Sequence, residues 1–360
     1  MKNGIHGKIG LEKWSGTAIE EVPTYMALRY RIPNWLVITD AMKYRTLGST
    51  NLSISEIGFG AWGIGGAVAG NNSYGATSDE CSLNALLAAK ERGINFFDTS
   101  NIYGNGHSET LIGAAFKDCR QSVIISTKCG YDSFSKKMDF TQLNIESSLN
   151  NSLQRLQTDY VDLLQLHDPD PSLATNLELI DLLKKQIKTG KVRFVGVSVK
   201  SPSHGLAFLN GPWQAIQCNL NLIDLRALDC GLFEQSQEKN VGLISRTPLA
   251  FGFLSGSFQS NSLQFSPGDH RLRWSKEQLL LWAKAGTFFS EVARKYDMSP
   301  TILAIKFCLS FSQVSSVIPG MLNSDEVNEN ASSSDFQTIE KDDLFSLLKI
   351  SRSNNFFINQ

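Results

Sequence analysis

Four residues that can transfer or hold protons lie at or just after the ends of short apolar runs. Asp98 ends the run INFFD, Lys128 ends SVIISTK and His167 ends YVDLLQLH. Tyr103 follows Asp98 by five residues, in DTSNIYGNG. Each position alone is compatible with an ordinary residue at the end of a strand. Together the four, here called the tetrad, form a set that can do chemistry.

The tetrad suits proton transfer to a carbonyl oxygen. A phenol is a weak acid with an ordinary pKa of about 10, and an ammonium group beside it favours the ionised form. A carboxylate paired with the ammonium holds it charged, and an imidazole can orient the oxygen or help to relay the proton. A tyrosine that protonates a developing alkoxide is a general acid. None of the four can supply a hydride, so a cofactor must provide it.

The elements that must position the tetrad follow an alternating pattern. Apolar runs predict strands over 55–62, 94–98, 122–128, 160–167, 192–198, 215–220, 241–246 and 315–320. Amphipathic stretches predict helices near 78–92, 107–117, 141–156, 173–189, 203–210, 229–239, 299–311 and 324–332. Strands that are apolar throughout are typical of parallel sheets covered on both faces.

Eight strand–helix units predict a closed (β/α)8 TIM barrel, with an open doubly wound sheet as the alternative. The ends of neighbouring barrel strands converge, which would bring the tetrad to one place. Two additions interrupt the repeat: a β-hairpin over 44–55, and a helical segment over 276–296 between the seventh strand and the seventh helix.

We expect the barrel to span residues 42–348, with a C-terminal tail over 349–360. Residues 1–41 show no clear period. They are equally compatible with a disordered or loosely attached extension and with a translation start at Met42.

The composition argues against several classes of partner. The chain has 34 basic and 35 acidic residues, which gives no argument for binding nucleic acid or an anionic membrane. No apolar run approaches the roughly 18 residues of a membrane span. The six cysteines form no C-x-x-C pair and the five histidines show no H-x-x-x-H spacing, so we expect no metal site. Scattered cysteines favour a reducing compartment and a cytoplasmic location. The sequence contains no feature that indicates the oligomeric state.

The run GFGAWG matches the dinucleotide pattern G-x-G-x-x-G at Gly58, Gly60 and Gly63. In a Rossmann domain a helix opens inside this motif and receives the pyrophosphate. Here a glycine-rich stretch follows, and each glycine costs about 1 kcal/mol in a helix relative to alanine. The run therefore predicts a loop after a strand rather than a Rossmann fingerprint.

The ordered motifs resemble those of the aldo-keto reductase superfamily over about residues 43–348. They include GINFFDTSNIYGNGHSETLIGAAF, IISTK, SLNNSLQRLQTDYVDLLQLHDPD, KVRFVGVS, TPLAFGFLSG and VIPGMLNSDEVNEN. The catalytic residues of that family fall on the tetrad, Asp98, Tyr103, Lys128 and His167. The resemblance implies a barrel that binds NAD(P)H without a Rossmann domain. It also implies hydride transfer between nicotinamide and the carbonyl of an aldehyde, ketone or sugar, or the reverse on an alcohol.

The resemblance also implies a set of cofactor residues: Gly60, Ser198, Gln217, Arg246, Pro248, Leu249, Gly252, Gly320, Asn323, Glu326 and Asn330. Gly60 would let the chain pass close to the cofactor. Ser198 and Gln217 match residues that hold the carboxamide, although Val199 replaces a frequent asparagine. Arg246 stands where many members stack a tyrosine on the nicotinamide. Leu249 to Ser255 match the loop that wraps the pyrophosphate, and Trp62 matches the substrate wall.

The segment after the Ile-Pro-Gly turn favours NAD over NADP. Leu322 stands where members that prefer NADP usually have a Lys or Arg, and Glu326 could accept a hydrogen bond from a ribose 2′-hydroxyl. Arg271 or Arg273 could still supply a cation for a 2′-phosphate.

A regulatory subunit that binds the cofactor but turns over little substrate is the alternative function, and the intact tetrad argues against it. The expected partner is a small carbonyl or sugar substrate. Cys129 is expected to pack in the core rather than act as a redox thiol, because neighbours on a strand face opposite ways.

Overall fold

The strands form the predicted closed barrel. The computed structural model describes residues 42–67, 73–75, 77–131, 137–258 and 263–358. The strands are β1 (Tyr44–Thr46), β2 (Ser53–Ser55), β3 (Phe59–Gly60), β4 (Phe96–Asp98), β5 (Ile124–Cys129), β6 (Val161–His167), β7 (Val192–Ser198), β8 (Ala215–Asn219), β9 (Gly242–Arg246) and β10 (Val314–Ile318). From β3 to β10 each strand pairs in parallel with the next. The parallel bridges Ile57–Val317 and Gly60–Gly320 then join the first barrel strand to the last.

Helices surround the barrel as the repeat requires. They are α1 (Asp79–Glu91), α2 (His107–Phe116), α3 (Gln142–Leu156), α4 (Leu177–Lys188), α5 (Pro202–Gly205), α6 (Arg226–Asp229), α7 (Leu232–Glu238), α8 (Lys276–Ala285), α9 (Ser290–Lys295), α10 (Pro300–Leu309), α11 (Ser324–Ser332) and α12 (Lys341–Ser353). The predicted extra segment between β9 and α10 is present as α8 and α9. Among the described residues, no helix has the length and apolar character needed to cross a membrane.

Two predicted helices differ from the structure. The helix predicted over 229–239 begins only at Leu232, as α7, because Gly231 adopts a left-handed conformation with φ 76° and separates α7 from the short α6 before it. The helix predicted over 203–210 is reduced to α5 followed by a 3-10 turn, Leu206–Leu209.

Helix α12 was not predicted, and it crosses the expected boundary at residue 348. Its Leu347 is fully buried, and the hydroxyl of Ser351 donates to the carbonyl oxygen of Leu222 at 2.5 Å. Beyond the helix, Phe356 is 3% exposed and its ring lies 5.6 Å from that of Phe288. The chain therefore packs on the barrel beyond the predicted start of the tail. The predicted N-terminal extension, residues 1–41, lies outside the described residues.

The two ends of the barrel differ in polarity, and this places the site. The hairpin β1–β2 covers the N-terminal end, where its buried Leu47 and Ile54 form one cluster with interior residues such as Phe96, Leu163 and Ile244. Alternate residues of a strand point to the same face, so the interior residue two positions further along β4 is the polar Asp98. The apolar layer therefore lies beneath a polar layer at the C-terminal ends of the strands.

Candidate active site

Asp98, Lys128 and Tyr103 form a continuous chain of hydrogen bonds. β4 and β5 are neighbours, so Lys128 Nζ lies 2.5 Å from Asp98 Oδ1, and it lies 3.2 Å from the hydroxyl of Tyr103. Its third donor reaches the carbonyl oxygen of Thr99 at 2.8 Å. Burial opposes the charge on Lys128, but the Asp98 carboxylate and Tyr103 outweigh it and raise the pKa of the ammonium. Lys128 therefore remains a cation beside the phenol.

Three side chains hold the second carboxylate oxygen of Asp98 in place. It accepts from Gln165 Nε2 at 2.9 Å, from Gln217 Nε2 at 2.8 Å and from Ser126 Oγ at 3.1 Å. Gln165 and Ser126 were not predicted. A signal existed, because they stand two positions before His167 and Lys128 on the same strands and so face the same side.

His167 stands at the end of β6 beside the phenol. The centroids of its ring and the Tyr103 ring are 6.3 Å apart. Its Nδ1 lies 3.3 Å from the hydroxyl of Ser100, and its ring packs edge-on against Tyr131 with centroids 5.0 Å apart. Ser100 and Tyr131 were not predicted either. They lie in the loops after β4 and β5, and no periodic sequence pattern connects those loops to His167.

The electrostatic surroundings keep His167 neutral. Burial is the largest cause that holds the pKa of the imidazole well below its ordinary value. The cations of Lys128, Arg246 and Lys200 lower it further. A neutral imidazole can donate one hydrogen bond to a substrate oxygen without carrying a charge of its own.

A cavity of about 440 Å³, here called the tetrad cavity, opens above these groups. Its wall includes three members of the tetrad and the predicted substrate residue: Asp98, Tyr103, His167 and Trp62. The Trp62 ring packs edge-on against His270 and Tyr74, with centroid distances of 4.4 and 4.9 Å. The structure therefore places Trp62 on the wall of the cavity that also borders Tyr103 and His167.

Gly60 lines the tetrad cavity, but the structure gives its small size another reason. A Cβ atom at Gly60 would lie 2.8 Å from the carbonyl oxygen of Pro319. Barrel closure between β3 and β10 therefore requires glycine at this position, whatever the cavity binds.

The residues predicted to hold the nicotinamide carboxamide lie beside Asp98. Ser198 Oγ donates to Gln217 Oε1 at 2.9 Å, and Gln217 lines the tetrad cavity. Arg246 also lines it and donates from Nη2 to the carbonyl oxygen of Val199 at 3.1 Å. The buried Nε of Arg246 has no hydrogen-bond partner among the described residues. A buried donor without a partner indicates a place for an acceptor group that the protein does not supply.

A second cavity of about 290 Å³, here called the adenosine cavity, shares wall residues with the first. Tyr74, Thr247, Phe251 and Gly320 line both cavities. The adenosine cavity is also lined by most of the other predicted cofactor residues: Pro248, Leu249, Gly252, Glu326 and Asn330. The two cavities therefore adjoin each other, and the residues predicted to bind the cofactor are divided between their walls.

The turn between the two cavities has an unusual backbone. Thr247, Ala250 and Phe251 are in the left-handed region, with φ of 57°, 45° and 61°, and Gly252 follows with φ 92°. Such conformations are costly for residues other than glycine and are concentrated at functional sites. This segment overlaps the loop, Leu249 to Ser255, that the sequence resemblance assigns to the pyrophosphate.

Asn323 and Glu326 play a structural part at the start of α11. Asn323 is the N-cap, and its side-chain oxygen accepts from the backbone nitrogen of Glu326 at 2.9 Å. The Glu326 carboxylate accepts in return from the backbone nitrogen of Leu322 at 2.8 Å. Burial is the main cause that raises the pKa of Glu326. Of the two, only Glu326 lines the adenosine cavity.

Cys129 follows Lys128 on β5 and is 1% exposed. Burial raises the pKa of its thiol to about 12, so the reactive thiolate is scarce at neutral pH. These properties agree with the expected packing role.

Comparison with known proteins identifies similar sequences over most of the chain. The aldo/keto reductase family model matches residues 56–351. The chain is 30% identical to the L-galactose dehydrogenase of Arabidopsis thaliana, over 80% of this chain and 87% of that protein. It is 27% identical to the NADH-specific methylglyoxal reductase of Escherichia coli, over 80% and 92% of the two chains. It is 29% identical to an aldo-keto reductase of Schizosaccharomyces pombe whose name specifies NADP+, over 78% and 84%.

Solved structures agree with this similarity. The holo form of an aldo-keto reductase from Bacillus halodurans superimposes with a TM-score of 0.68 at 25% sequence identity. The superposition covers 86% of this chain and 96% of the other.

Proposed function

The chain belongs to the aldo/keto reductase family, and we propose that the tetrad is its catalytic centre. Members of this family transfer a hydride between NAD(P)H and a carbonyl group, and this chain is an oxidoreductase of that kind. The observation that carries our assignment is the chain of hydrogen bonds from Asp98 through Lys128 to the Tyr103 hydroxyl.

Each member of the tetrad has one task in this proposal. The bound dinucleotide supplies the hydride. Tyr103 donates its hydroxyl proton to the carbonyl oxygen as negative charge develops there, and Lys128 stabilises the phenolate that remains. Asp98 keeps Lys128 charged and in place. His167 donates a hydrogen bond to the same oxygen and orients it. In the reverse direction the phenolate accepts the proton of an alcohol.

Replacing Tyr103 by phenylalanine tests the proposal, because the change removes only the hydroxyl. We expect aldehyde reduction to fall by about 10²–10⁴-fold, the usual contribution of general acid catalysis. Cofactor dissociation constants should change only slightly, because other residues line the adenosine cavity. Tyr131→Phe is the matched control, since it removes a hydroxyl from the wall of the same cavity. Turnover by Tyr103→Phe within about tenfold of wild type would exclude Tyr103 as the acid.

We also propose that the protein prefers NAD to NADP. Glu326, Glu329 and Leu322 line the adenosine cavity. The only arginine on that wall among the described residues, Arg271, is neutralised by Asp269 at 2.6 Å. A 2′-phosphate there would meet carboxylates and would lack a free cation. The missing charge-assisted bond is worth about 1.5–3 kcal/mol, or roughly ten- to a hundredfold in affinity.

Two coarser features complete the proposal. The substrate is a small carbonyl compound or sugar, as the tetrad cavity and the family suggest. All six cysteines are free thiols, which favours a reducing location such as the cytoplasm. The alternative of a regulatory subunit with little turnover gains no support from the intact tetrad.

A further inference from the structure

Two arginines of one short turn face different cavities. Arg271 and Arg273 lie in the 3-10 turn His270–Arg273, between β9 and α8. Arg271 forms an ion pair with Asp269 and lines the adenosine cavity. Arg273 lines the tetrad cavity instead. No carboxylate among the described residues forms an ion pair with Arg273, whose guanidinium carbon lies 4.2 Å from the centroid of the Trp274 ring.

The other charged residues that the structure describes on the wall of the tetrad cavity do not compensate Arg273. The carboxylate of Asp98 is neutralised by Lys128. Lys200, on the same wall, is itself paired with Asp168 at 2.7 Å. Among the described residues, this wall contains no other carboxylate.

Arg246 adds a second cation to this wall. It too forms no ion pair with a described carboxylate, and its buried Nε has no partner. Together with Arg273 it gives the described part of this wall a net positive charge, which concentrates anions in a cleft. Burial and then nearby cations, Arg246 among them, also hold the pKa of His167 low, in agreement with this positive field.

We propose that the tetrad cavity takes a carbonyl substrate that carries a carboxylate or phosphate group, and that Arg273 binds this anion. The inference rests on the proposed function of the tetrad. The anion belongs to the substrate rather than to the cofactor, because Arg273 lies on the wall shared with Trp62 and Tyr103, whereas the loop assigned to the pyrophosphate borders the adenosine cavity. A guanidinium group packed on an aromatic ring keeps its N–H donors free to bind an anion in a bidentate way.

Paired aldehydes that differ in charge test this inference. Succinate semialdehyde is compared with butanal, and glyceraldehyde 3-phosphate with glyceraldehyde, using the wild-type protein and Arg273→Gln. We expect the wild type to favour the charged member of at least one pair by about tenfold or more in kcat/KM, since a hydrogen bond to a charged group is worth that much. The carboxylate and phosphate pairs show which anion the site takes.

The variants separate an anion site from a structural role. Arg273→Gln should lose the preference through a higher KM for the charged aldehyde, with kcat and the neutral aldehyde little changed. Arg273→Lys should keep part of the preference because it keeps the charge. Arg352→Gln, which removes an exposed arginine paired with Asp229, should behave as wild type.

Three results would overturn the inference. The first is equal kcat/KM for both members of each pair while the neutral aldehydes are reduced normally. The second is an Arg273→Gln variant that retains the preference. The third is a variant whose loss appears instead as a weaker dissociation constant for NADH or NADPH, measured by fluorescence, which would assign Arg273 to the cofactor. Failure to reduce any aldehyde would instead refute the proposed function itself.

Discussion

Replacing Asp98 by asparagine would test how the site holds a buried charge. The side chain of Lys128 is 0% exposed and that of Asp98 is 3% exposed. The variant keeps the shape of Asp98 but removes the only carboxylate that pairs with Lys128 among the described residues. The new amide nitrogen would also stand among Gln165 Nε2, Gln217 Nε2 and Ser126 Oγ, which now donate to a carboxylate oxygen. The amide nitrogens of Gln165 and Gln217 would then face another donor in place of an acceptor.

The expected loss of stability is about 3–5 kcal/mol, which is typical when one partner of a buried ion pair is removed. The destabilisation caused by the unpaired ammonium has an upper limit, because Lys128 can lose its proton and remain buried as a neutral amine. Deprotonating a lysine of ordinary pKa 10.5 at pH 7 costs about 5 kcal/mol. The two costs are comparable, so we expect a substantial neutral fraction of Lys128 in the folded variant and impaired catalysis.

Urea unfolding followed by circular dichroism at pH 7 and pH 9 measures this loss. In the variant the pKa of Lys128 is lowered on folding, so its stability should rise with pH by up to about 1.4 kcal/mol per unit below 10.5. Lys128 of the wild type is charged in both states and contributes no such rise. Asp181→Asn, which breaks an exposed pair with Lys184, is the control and should cost less than about 1 kcal/mol.

The double variant Asp98→Asn with Lys128→Met removes the uncompensated ammonium and should be more stable than Asp98→Asn alone. A single variant within about 1 kcal/mol of wild type at pH 7, or one without the rise toward pH 9, would refute the reasoning.

Two further predictions concern acid stability and the cofactor. Burial, and then Arg273, lower the pKa of His270 to about 4, so the folded protein should lose stability as the pH falls below the ordinary imidazole value of about 6.5. In urea titrations at pH 4.5, His270→Phe should reduce this fall in the free energy of unfolding by about 2 kcal/mol. An unchanged pH dependence would show that His270 is not the group responsible. NADH should bind at least about tenfold more tightly than NADPH in fluorescence titrations, because Leu322 supplies no cation and Glu326 supplies an acid; tenfold tighter NADPH would show the opposite preference.

The sequence predicted the barrel because the apolar runs and helical periods that indicate it lie within short segments of the chain. Eight apolar runs correspond to β3 to β10, and the hairpin and the extra segment before α10 lie where the pattern placed them. Helix α12 was missed although Leu344, Leu347 and Leu348 recur at helical spacing, because it follows the last repeat of the barrel. The break at Gly231 was missed because a glycine within a helical pattern does not by itself reveal a left-handed conformation.

The sequence by itself determined which groups do the proposed chemistry, because residue types at the ends of parallel strands must converge once the sheet closes. Contacts between strands depend on register, and loop conformations are not periodic. Only the tertiary structure could therefore show that Gln165 and Ser126 anchor Asp98, and that Gly60 serves barrel closure. For the same reason only the fold distinguishes the two arginines of HRLRW. Arg271 is neutralised by Asp269, whereas Arg273 lines the tetrad cavity and forms no ion pair within the described part of the chain.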